Sequence, residues 1–334
     1  MRVLSLFDWM ACGYEALLRA WIKIDKYYAS EIDKYAIQIA LKNHPDIIEI
    51  WDVCNVKWED YKDIDLLIWG SPCQWFSVAG KQLAFDDPRS KLFFEFVRLK
   101  EEIKPKYFLL ENVKMRKERV DIISWYLWVQ PIEINSALVS AQSRKRLYWT
   151  NIPNVIQPEN KWLILKDILQ DNVDEKYYLN EQQIAKMEYL KWSKAIPREK
   201  NWHEYIYREW AIPFPDSIEK PSRTILTSEW HIARTSHIIR IGWAYWQSTR
   251  RGVYDTEWQA PTITASMWLG GWHIPMIPTK IEWIRKLTPI ECERLQTLKD
   301  GYTEGVSDSQ RYKMLGNWWT CDVISHIFSF IPKE

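Results

Sequence analysis

Glycine is scarce in this sequence, and tryptophan is abundant. Only 10 of the 334 residues are glycine, whereas 22 are tryptophan. An average chain of this length has about 23 glycines. Tight turns need glycine because it adopts positive φ without a steric cost. The low count therefore leaves this chain without the usual supply of glycine for its turns.

Three further absences limit the class of protein. The cysteines are too far apart for a zinc knuckle or a Cys-x-x-Cys redox pair, so we expect no metal. No apolar run is long enough to span a membrane, and the amino terminus lacks the apolar stretch of a signal peptide. We therefore expect reduced thiols and a cytoplasmic protein. The five cysteines are Cys12, Cys54, Cys73, Cys292 and Cys321.

The charge is balanced, with 45 basic and 44 acidic residues and a net charge of +1. This balance excludes a general attraction to polyanions, so a nucleic-acid site has to be local. Residues 222–251 form such a local region, because five arginines oppose the single acid Glu229 for a net +4.

Strand and helix patterns alternate over residues 1–150. Between the fourth and fifth of the predicted strands, a stretch with helical apolar spacing begins at Asp87 and Pro88. This alternation predicts an α/β fold with a doubly wound, mostly parallel sheet, which binds ligands beyond the carboxyl ends of its strands. The five predicted strands are RVLSLF, KYYASEI, IIEIWDV, DIDLLIW and KYFLLENV.

Two changes of pattern predict the domain organisation. Residues 151–280 mix prolines, aromatics and polar residues, which predicts a smaller, irregular, β-rich region. Helical patterns return after residue 281, where Thr288, Pro289 and Glu291 form a capping box. We therefore predict one domain from residues 1–150 and 281–334, with residues 151–280 inserted into it.

Short polar motifs follow each predicted strand in order. Alone, each is weak: Glu31 can bind a ribose hydroxyl or be a solvated carboxylate, and Asp52 can bind an adenine amino group or cap a turn. In their order along the chain, the motifs resemble those of the DNA cytosine-5 methyltransferases, above all the de novo branch and its phage and bacterial relatives. The motifs are FDWMACG, SPCQWFS, ENV, QSRKR, LTPIECERLQ and LGNWW.

The resemblance implies a Rossmann-like methyltransferase that flips a cytosine out of DNA and methylates it at C5. Cys73 is implied as the nucleophile that adds to C6, and Glu111 as the group that handles a proton at N3. Arg144 and Arg146 would orient the base and neutralise O2, while Asn112 would brace the cysteine loop. Because Glu111 must be protonated for part of the cycle, we expect a raised pKa there.

The resemblance also implies a cofactor, S-adenosyl-L-methionine, and a partner, double-stranded DNA, with a cognate restriction endonuclease as a further partner. Residues 151–280 would be the target-recognition region, although a basic solvent-facing β-surface also explains their arginines residue by residue. The implied cofactor-binding residues are Phe7, Asp8, Trp9, Met10, Ala11, Cys12, Glu31, Asp52, Val53, Pro72, Asn317 and Trp319. The implied DNA-binding residues are Gln74, Ser77, Arg223, Arg234, Arg240, Arg250 and Arg251.

Two alternatives stay open beside an active DNA methyltransferase. The first is a non-catalytic DNA-binding relative whose tryptophans have abolished cofactor binding. The second is an RNA cytosine-5 methyltransferase of the same fold, which we rank last because the insert lacks the Cys-Phe-Thr of the transfer-RNA branch.

The tryptophans stand where the resembling family has glycine. This holds for Trp9, Trp51, Trp69, Trp75 and Trp318, whereas Trp58, Trp149 and Trp319 occupy places where an aromatic is natural. If all but these last three of the 22 tryptophans were glycine, the glycine count would rise from 10 to 29. We therefore hypothesise that the source reads UGA codons as glycine and that the gene was translated as if UGA encoded tryptophan.

Overall fold

A seven-stranded sheet forms the centre of the protein. The computed structural model describes residues 1–70, 88–178, 260–261, 276–280 and 283–333. The strand order is β3-β2-β1-β4-β5-β8-β6, with parallel pairing from β3 to β5 and antiparallel pairing at β8 and β6. The sheet strands are β1 (Arg2–Leu6), β2 (Lys26–Ser30), β3 (Ile48–Glu49), β4 (Leu66–Gly70), β5 (Tyr107–Val113), β6 (Ile132–Asn135) and β8 (Lys145–Thr150).

Short strands outside this sheet connect the ends of the insert to the rest of the chain. Strands β7 (Gln142–Ser143) and β9 (Ala260–Pro261) pair in parallel, and β10 (Met276–Lys280) pairs antiparallel with β11 (Trp283–Lys286). Tyr178 forms an isolated antiparallel bridge with Arg285. Tyr178 and Arg285, which enclose most of the predicted insert, are therefore neighbours in the fold.

Seven α-helices lie within the described parts of the chain. Helix α3 begins at Pro88, as predicted, because proline is tolerated in the first helical turn. The helices are α1 (Cys12–Arg19), α2 (Lys34–Asn43), α3 (Pro88–Ile103), α4 (Lys117–Leu127), α5 (Pro289–Leu295), α6 (Asp308–Asn317) and α7 (Cys321–Phe328). None of these helices is long and apolar enough to cross a membrane.

Both faces of the sheet are covered, because buried side chains along β1 alternate between two cores. Val3 packs into the core beneath α1, α2 and α7, whereas Leu4 and Leu6 pack into the core beneath α3 and α4. Leu165, from the start of the predicted insert, is fully buried in the first of these cores. The observed layers match the doubly wound α/β fold predicted from the sequence.

The carboxyl-terminal helices return to the first part of the chain, as predicted. Helix α7 packs directly against α1, and the Arg19 guanidinium donates to the Asp322 carboxylate at 2.8 Å. The predicted third strand is shorter than its apolar run, because only Ile48–Glu49 pair with β2 at the edge of the sheet. The boundary predicted at residue 151 stays a prediction, since most of residues 151–280 lie outside the described residues.

Candidate active site

A cleft opens where the strand order of the sheet reverses. From β1 the chain first adds strands on one side, β2 and β3, and then crosses to β4 on the other side. The carboxyl ends of β1 and β4 therefore diverge, and such a switch point is where doubly wound sheets bind ligands. The residues that line the cleft are Ser5, Phe7, Asp8, Trp9, Cys12, Gly13, Gly70, Asn317, Trp318 and Trp319.

Asp8 lies at the bottom of this cleft, directly after β1. Its Oδ1 accepts a hydrogen bond of 2.6 Å from the Tyr27 hydroxyl. By hydrogen-bond geometry, Oδ2 has no donor among the described residues, although Ser5 lies near enough to favour the carboxylate. Burial raises the pKa of Asp8 to about 7, so the site holds a carboxyl group that titrates near neutrality.

Glu31 lies after β2 and organises the neighbouring loops. Its carboxylate accepts hydrogen bonds from three backbone N–H groups, those of Trp9 at 3.0 Å and of Ile32 and Asp33 at 2.8 Å each. Burial raises the pKa of Glu31, and these three bonds oppose the rise. The carboxylate is thus fixed next to Trp9, which lines the cleft, and its ribose-binding role stays a prediction.

Glu49, at the end of β3, is a third carboxyl group in this region. Unlike Asp8 and Glu31, it was not predicted from the sequence. Its Oε1 accepts from the Glu31 backbone N–H at 3.1 Å, and burial, followed by the charge of Asp8, raises its pKa to about 7. Asp52 is exposed and caps a short 3₁₀ turn through Cys54 N–H at 2.9 Å, while Val53 is buried beside it. An acidic residue at the end of a parallel strand was the available signal for Glu49.

Glu111 lies at the carboxyl end of β5, next to β4. It is 3% exposed, and its Oε2 accepts a hydrogen bond of 2.9 Å from the indole N–H of Trp319. Arg146 Nε lies 3.0 Å from Oε1, a charge contact that lacks hydrogen-bond alignment. Burial raises the pKa of Glu111, while Arg146, Arg144 and the indole favour the carboxylate. The raised pKa predicted for this residue is confirmed in direction.

The two motif arginines are buried beside Glu111 and do not form a solvated strand face. Arg144 is 2% exposed, and its guanidinium donates to the Gly316 carbonyl at 3.4 Å from both terminal nitrogens. Asn112 is also buried, and its Oδ1 accepts from the N–H of Val113 at 2.7 Å. The arrangement combines a protonatable carboxyl with two fixed cations, which suits a substrate that gains negative charge.

The start of α1 supplies the remaining predicted cofactor residues. Met10 and Ala11 are fully buried, and Cys12 is the first residue of the helix. Asn317 ends α6 and lines the cleft with Trp318 and Trp319. Among the described residues, the cleft is therefore lined by six of the predicted cofactor residues, Phe7, Asp8, Trp9, Cys12, Asn317 and Trp319, whereas Met10, Ala11, Glu31, Asp52 and Val53 do not line it.

Several predicted residues lie outside the described residues. They include the proposed nucleophile, a cofactor residue next to it and all of the predicted DNA-binding residues. They are Pro72, Cys73, Gln74, Ser77, Arg223, Arg234, Arg240, Arg250 and Arg251. Their roles remain predictions from the sequence.

The residue types around the cleft fit S-adenosyl-L-methionine, but the space does not. Carboxyl groups of Asp8 and Glu31 and the amide of Asn317 suit a ligand with amino and hydroxyl groups. However, the cavity between these side chains is only about 10 Å³, which is room for about one water molecule. Small-molecule sites usually offer about 300 to 1,000 Å³. The side chains of Trp9 and Trp318 are among those that line the space.

Comparisons with known proteins bear on this site. The sequence profile of the family described as C-5 cytosine-specific DNA methylase matches residues 1–120 and 137–333. An orphan methyltransferase, M.SPRI of Bacillus phage SPR, is 25% identical over 100% of this chain and 99% of its own length. A type II methyltransferase, M.Bsp6I of a Bacillus species, is 28% identical over 92% of this chain and 91% of its own length.

Solved structures share the fold. A Dnmt2 methyltransferase of S. pombe superposes with a TM-score of 0.68 at 16% identity, covering 99% of this chain and 98% of its own. A DNA modification methyltransferase encoded within a prophage of E. coli gives a TM-score of 0.64 at 19% identity, covering 99% and 98%. At these identities the likeness concerns the fold alone.

Proposed function

Because the chain belongs to the C-5 cytosine-specific DNA methylase family, we propose that it methylates C5 of cytosine in double-stranded DNA through a covalent bond between Cys73 and C6. The methyl group comes from S-adenosyl-L-methionine, the donor that the family implies. The chain is a DNA methyltransferase by membership, and the roles of its individual residues are the proposal.

One observation carries the proposal. Gly70, the last residue of β4, pairs directly with Glu111 on β5, so the buried acid lies beside the point where the chain enters Ser71, Pro72 and Cys73. Cys73, the proposed nucleophile, therefore comes three residues after Gly70, which pairs with Glu111 in the sheet. This supports a site in which a thiol and a protonatable carboxyl act on one ring.

The chemistry requires both groups. The Cys73 thiolate adds to C6, and the electron pair of the C5–C6 bond moves toward N3 and O2. Glu111 holds a proton at N3, and the charges of Arg144 and Arg146 oppose the negative charge that develops at O2. C5 then uses this electron pair to form the bond to the methyl carbon. The C5 proton goes to solvent and N3 returns its proton to Glu111, while the thiolate leaves as the C5–C6 double bond forms again.

The proposal is tested by trapping the covalent bond. DNA that carries 5-fluorocytosine cannot lose a proton from C5, so the cofactor-dependent reaction should stop at the Cys73 adduct. With glycine at positions 9 and 318, as in the resembling family, we expect a protein–DNA band that resists denaturation and is absent for Cys73→Ser. Glu111→Gln should slow its formation by about 100-fold, the usual contribution of a general acid. A band that persists with Cys73→Ser would show that the nucleophile is another residue.

Three further experiments test the substrate, the target site and the endonuclease partner. Labelled methyl groups should enter duplex DNA and not RNA of the same sequence. Bisulfite sequencing of DNA from an expressing host should reveal the target site. Type II and orphan relatives are both among the similar proteins, and we propose a cognate endonuclease as partner. Resistance of the methylated DNA to an endonuclease from the same source would support this partner.

A further inference from the structure

Many tryptophans of this chain have a backbone conformation that suits glycine. Twelve tryptophans have a described backbone, and five of them have φ between +52° and +62°. Only a few per cent of non-glycine residues have positive φ, and for bulky side chains it is an outlier. So high a share within one residue type indicates a cause specific to tryptophan. The five are Trp9, Trp21, Trp51, Trp128 and Trp162.

Trp21 shows the mismatch most clearly. After α1, the N–H of Ile22 donates to the Leu17 carbonyl and the N–H of Trp21 donates to the Leu18 carbonyl, each at 3.0 Å. These two bonds define a Schellman motif, whose left-handed residue is usually glycine. Trp21 is that residue and is 87% exposed, so no packing of its ring offsets the strain.

Three more tryptophans repeat this pattern away from the cleft. Trp128 caps the carboxyl end of α4 at φ 59° and is 79% exposed. Trp162 is 80% exposed, and its N–H donates to Asn160 Oδ1 in a turn. Trp51 follows β3 at φ 62° and is 59% exposed. At each of these positions the residue has a left-handed backbone, and its indole is exposed to solvent.

The cleft contains two further mismatches. Trp9 has φ 52° and lines the cleft. Trp318 is 1% exposed, and its indole N–H has no acceptor among the described residues. By contrast, the buried indoles of Trp149 and Trp319 donate to Ser124 Oγ and Glu111 Oε2, each at 2.9 Å. Buried tryptophans normally have such a partner, so Trp318 does not behave as an evolved core residue.

We propose that the source organism inserts glycine at Trp9, Trp21, Trp51, Trp128, Trp162 and Trp318 by reading UGA as glycine. The helix caps and turns then contain the residue that their dihedral angles favour. Loss of the two indoles at positions 9 and 318 enlarges the cleft, which removes its conflict with the size of the cofactor. The natural enzyme binds cofactor in a space that the tryptophan form fills.

The nucleotide sequence and the native polypeptide give the direct test. We expect UGA at these six codons and UGG at Trp149 and Trp319. Peptide mapping of the protein isolated from its source should show glycine at positions 21 and 128. Tryptophan in those two peptides would overturn the inference, and neither measurement depends on whether the proposed reaction occurs.

Stability gives a second test with a matched control. Trp21→Gly, Trp128→Gly and Trp162→Gly should each raise Tm by about 2 °C, because they relieve left-handed strain. The same change at the buried, hydrogen-bonded Trp149 should lower Tm by about 10 °C. Lower Tm values for all three exposed variants would contradict the inference.

Cofactor binding gives a third test. The variant with Trp9→Gly and Trp318→Gly should bind S-adenosyl-L-methionine at least about 100-fold more tightly than the tryptophan form in calorimetry. Trp21→Gly alone should leave the affinity unchanged, because position 21 lies outside the cleft. Equal affinities for the double variant and the tryptophan form would show that the indoles do not obstruct the site.

A separate observation concerns Trp319. Its indole N–H reaches Glu111 Oε2 at 2.9 Å, and both side chains are buried. The edge of the same ring lies against Gly70, where an added Cβ would come within 2.9 Å of Cζ2. The indole thus contacts the end of β4, directly before the Cys73 segment, and the acid on β5.

We propose that Trp319 is a positioning residue that holds the Glu111 carboxyl through its indole N–H, leaving Oε1 to Arg146 and the base. This inference rests on the proposed role of Glu111. The indole stabilises the carboxylate, so its removal should raise the pKa of Glu111 and free the carboxyl to rotate.

Infrared titration of the Glu111 carboxyl, assigned with Glu111→Gln, tests this role without measuring activity. In Trp319→Phe the midpoint should move up by about one pH unit, the effect of a lost charge-assisted hydrogen bond. Trp149→Phe removes a similar buried N–H···O bond, to Ser124 in the core on the other face of the sheet from Trp319, and should leave the midpoint unchanged. A Trp319→Phe midpoint equal to that of the unmodified protein would overturn the proposal. Failure of DNA trapping would instead concern the reaction itself.

Discussion

At the scale of single residues, Asp8 lines the cleft, and the burial of its carboxylate lowers the free energy of unfolding. Its carboxyl is buried with one hydroxyl donor, and burial raises its pKa from 3.8 to about 7. The folded protein therefore holds a proton on Asp8 that the unfolded chain releases above pH 4. Stability from this group is complete below about pH 4 and is lost as pH rises through about 7.

We expect Asp8→Asn to increase the free energy of unfolding at pH 8 by up to about 4 kcal/mol, with the gain shrinking toward pH 4. Urea unfolding at several pH values measures this slope. Tyr27→Phe should have the opposite effect, because the Tyr27 hydroxyl favours the Asp8 carboxylate. Parallel pH profiles for Asp8→Asn and the unmodified protein would contradict the assignment.

At the scale of elements, a buried ion pair fixes strand β11 against helix α5. Arg285 on β11 donates to both carboxylate oxygens of Glu291 on α5, at 2.8 and 2.7 Å, and both side chains are almost fully buried. Glu291 also accepts from the N–H groups of Thr288 and Gln170, each within 2.9 Å. One carboxylate therefore joins a strand, a helix cap and the segment around Gln170.

Glu291→Gln should lower the free energy of unfolding by about 3 to 5 kcal/mol, because it leaves the Arg285 charge buried without its partner. Thr288→Ala removes the cap and the hydrogen bond from the Thr288 hydroxyl to Gln170 Oε1, and should cost about 1 to 2 kcal/mol. The exposed pair of Arg294 and Asp300 is the control, and Asp300→Asn should cost less than about 1 kcal/mol. Similar losses for Glu291→Gln and Asp300→Asn in denaturant titrations would contradict this role.

Elements with a strong local pattern were predictable from the sequence. The capping box at Thr288 and the start of α3 at Pro88 are local, and both are confirmed. The length of β3 depends on how much of β2 is available for pairing, which no local pattern encodes. In the site, the strand-end acids follow from the fold. The hydrogen bond from Trp319 to Glu111 joins two residues that are 208 positions apart in the sequence. The local sequence around either residue therefore could not predict it.

At the scale of the whole molecule, the net charge of +1 gives no general attraction to DNA. The positive surface that we expect to bind DNA therefore has to be a local region. We expect Arg250→Ala or Arg251→Ala to weaken DNA binding and to lower the salt slope by about one phosphate contact each. Binding measured between about 50 and 200 mM salt provides the slope. Cofactor affinity should not change in either variant.

Lys23→Ala is the control for this experiment. Lys23 precedes β2 and so lies at the amino-terminal edge of the sheet, opposite the cleft. Its removal should leave the salt slope unchanged. An unchanged slope for both arginine variants would locate the DNA surface elsewhere.

The bridge between Tyr178 and Arg285 brings together the two ends of a segment of about one hundred residues. A segment whose two ends lie together places few constraints on the folding of the rest of the domain. Exchange of the whole segment between relatives would then require only two junctions, which lie next to each other. Such an exchange would replace most of the residues that we predict to recognise DNA and would leave Glu111, Arg144 and Arg146 in place.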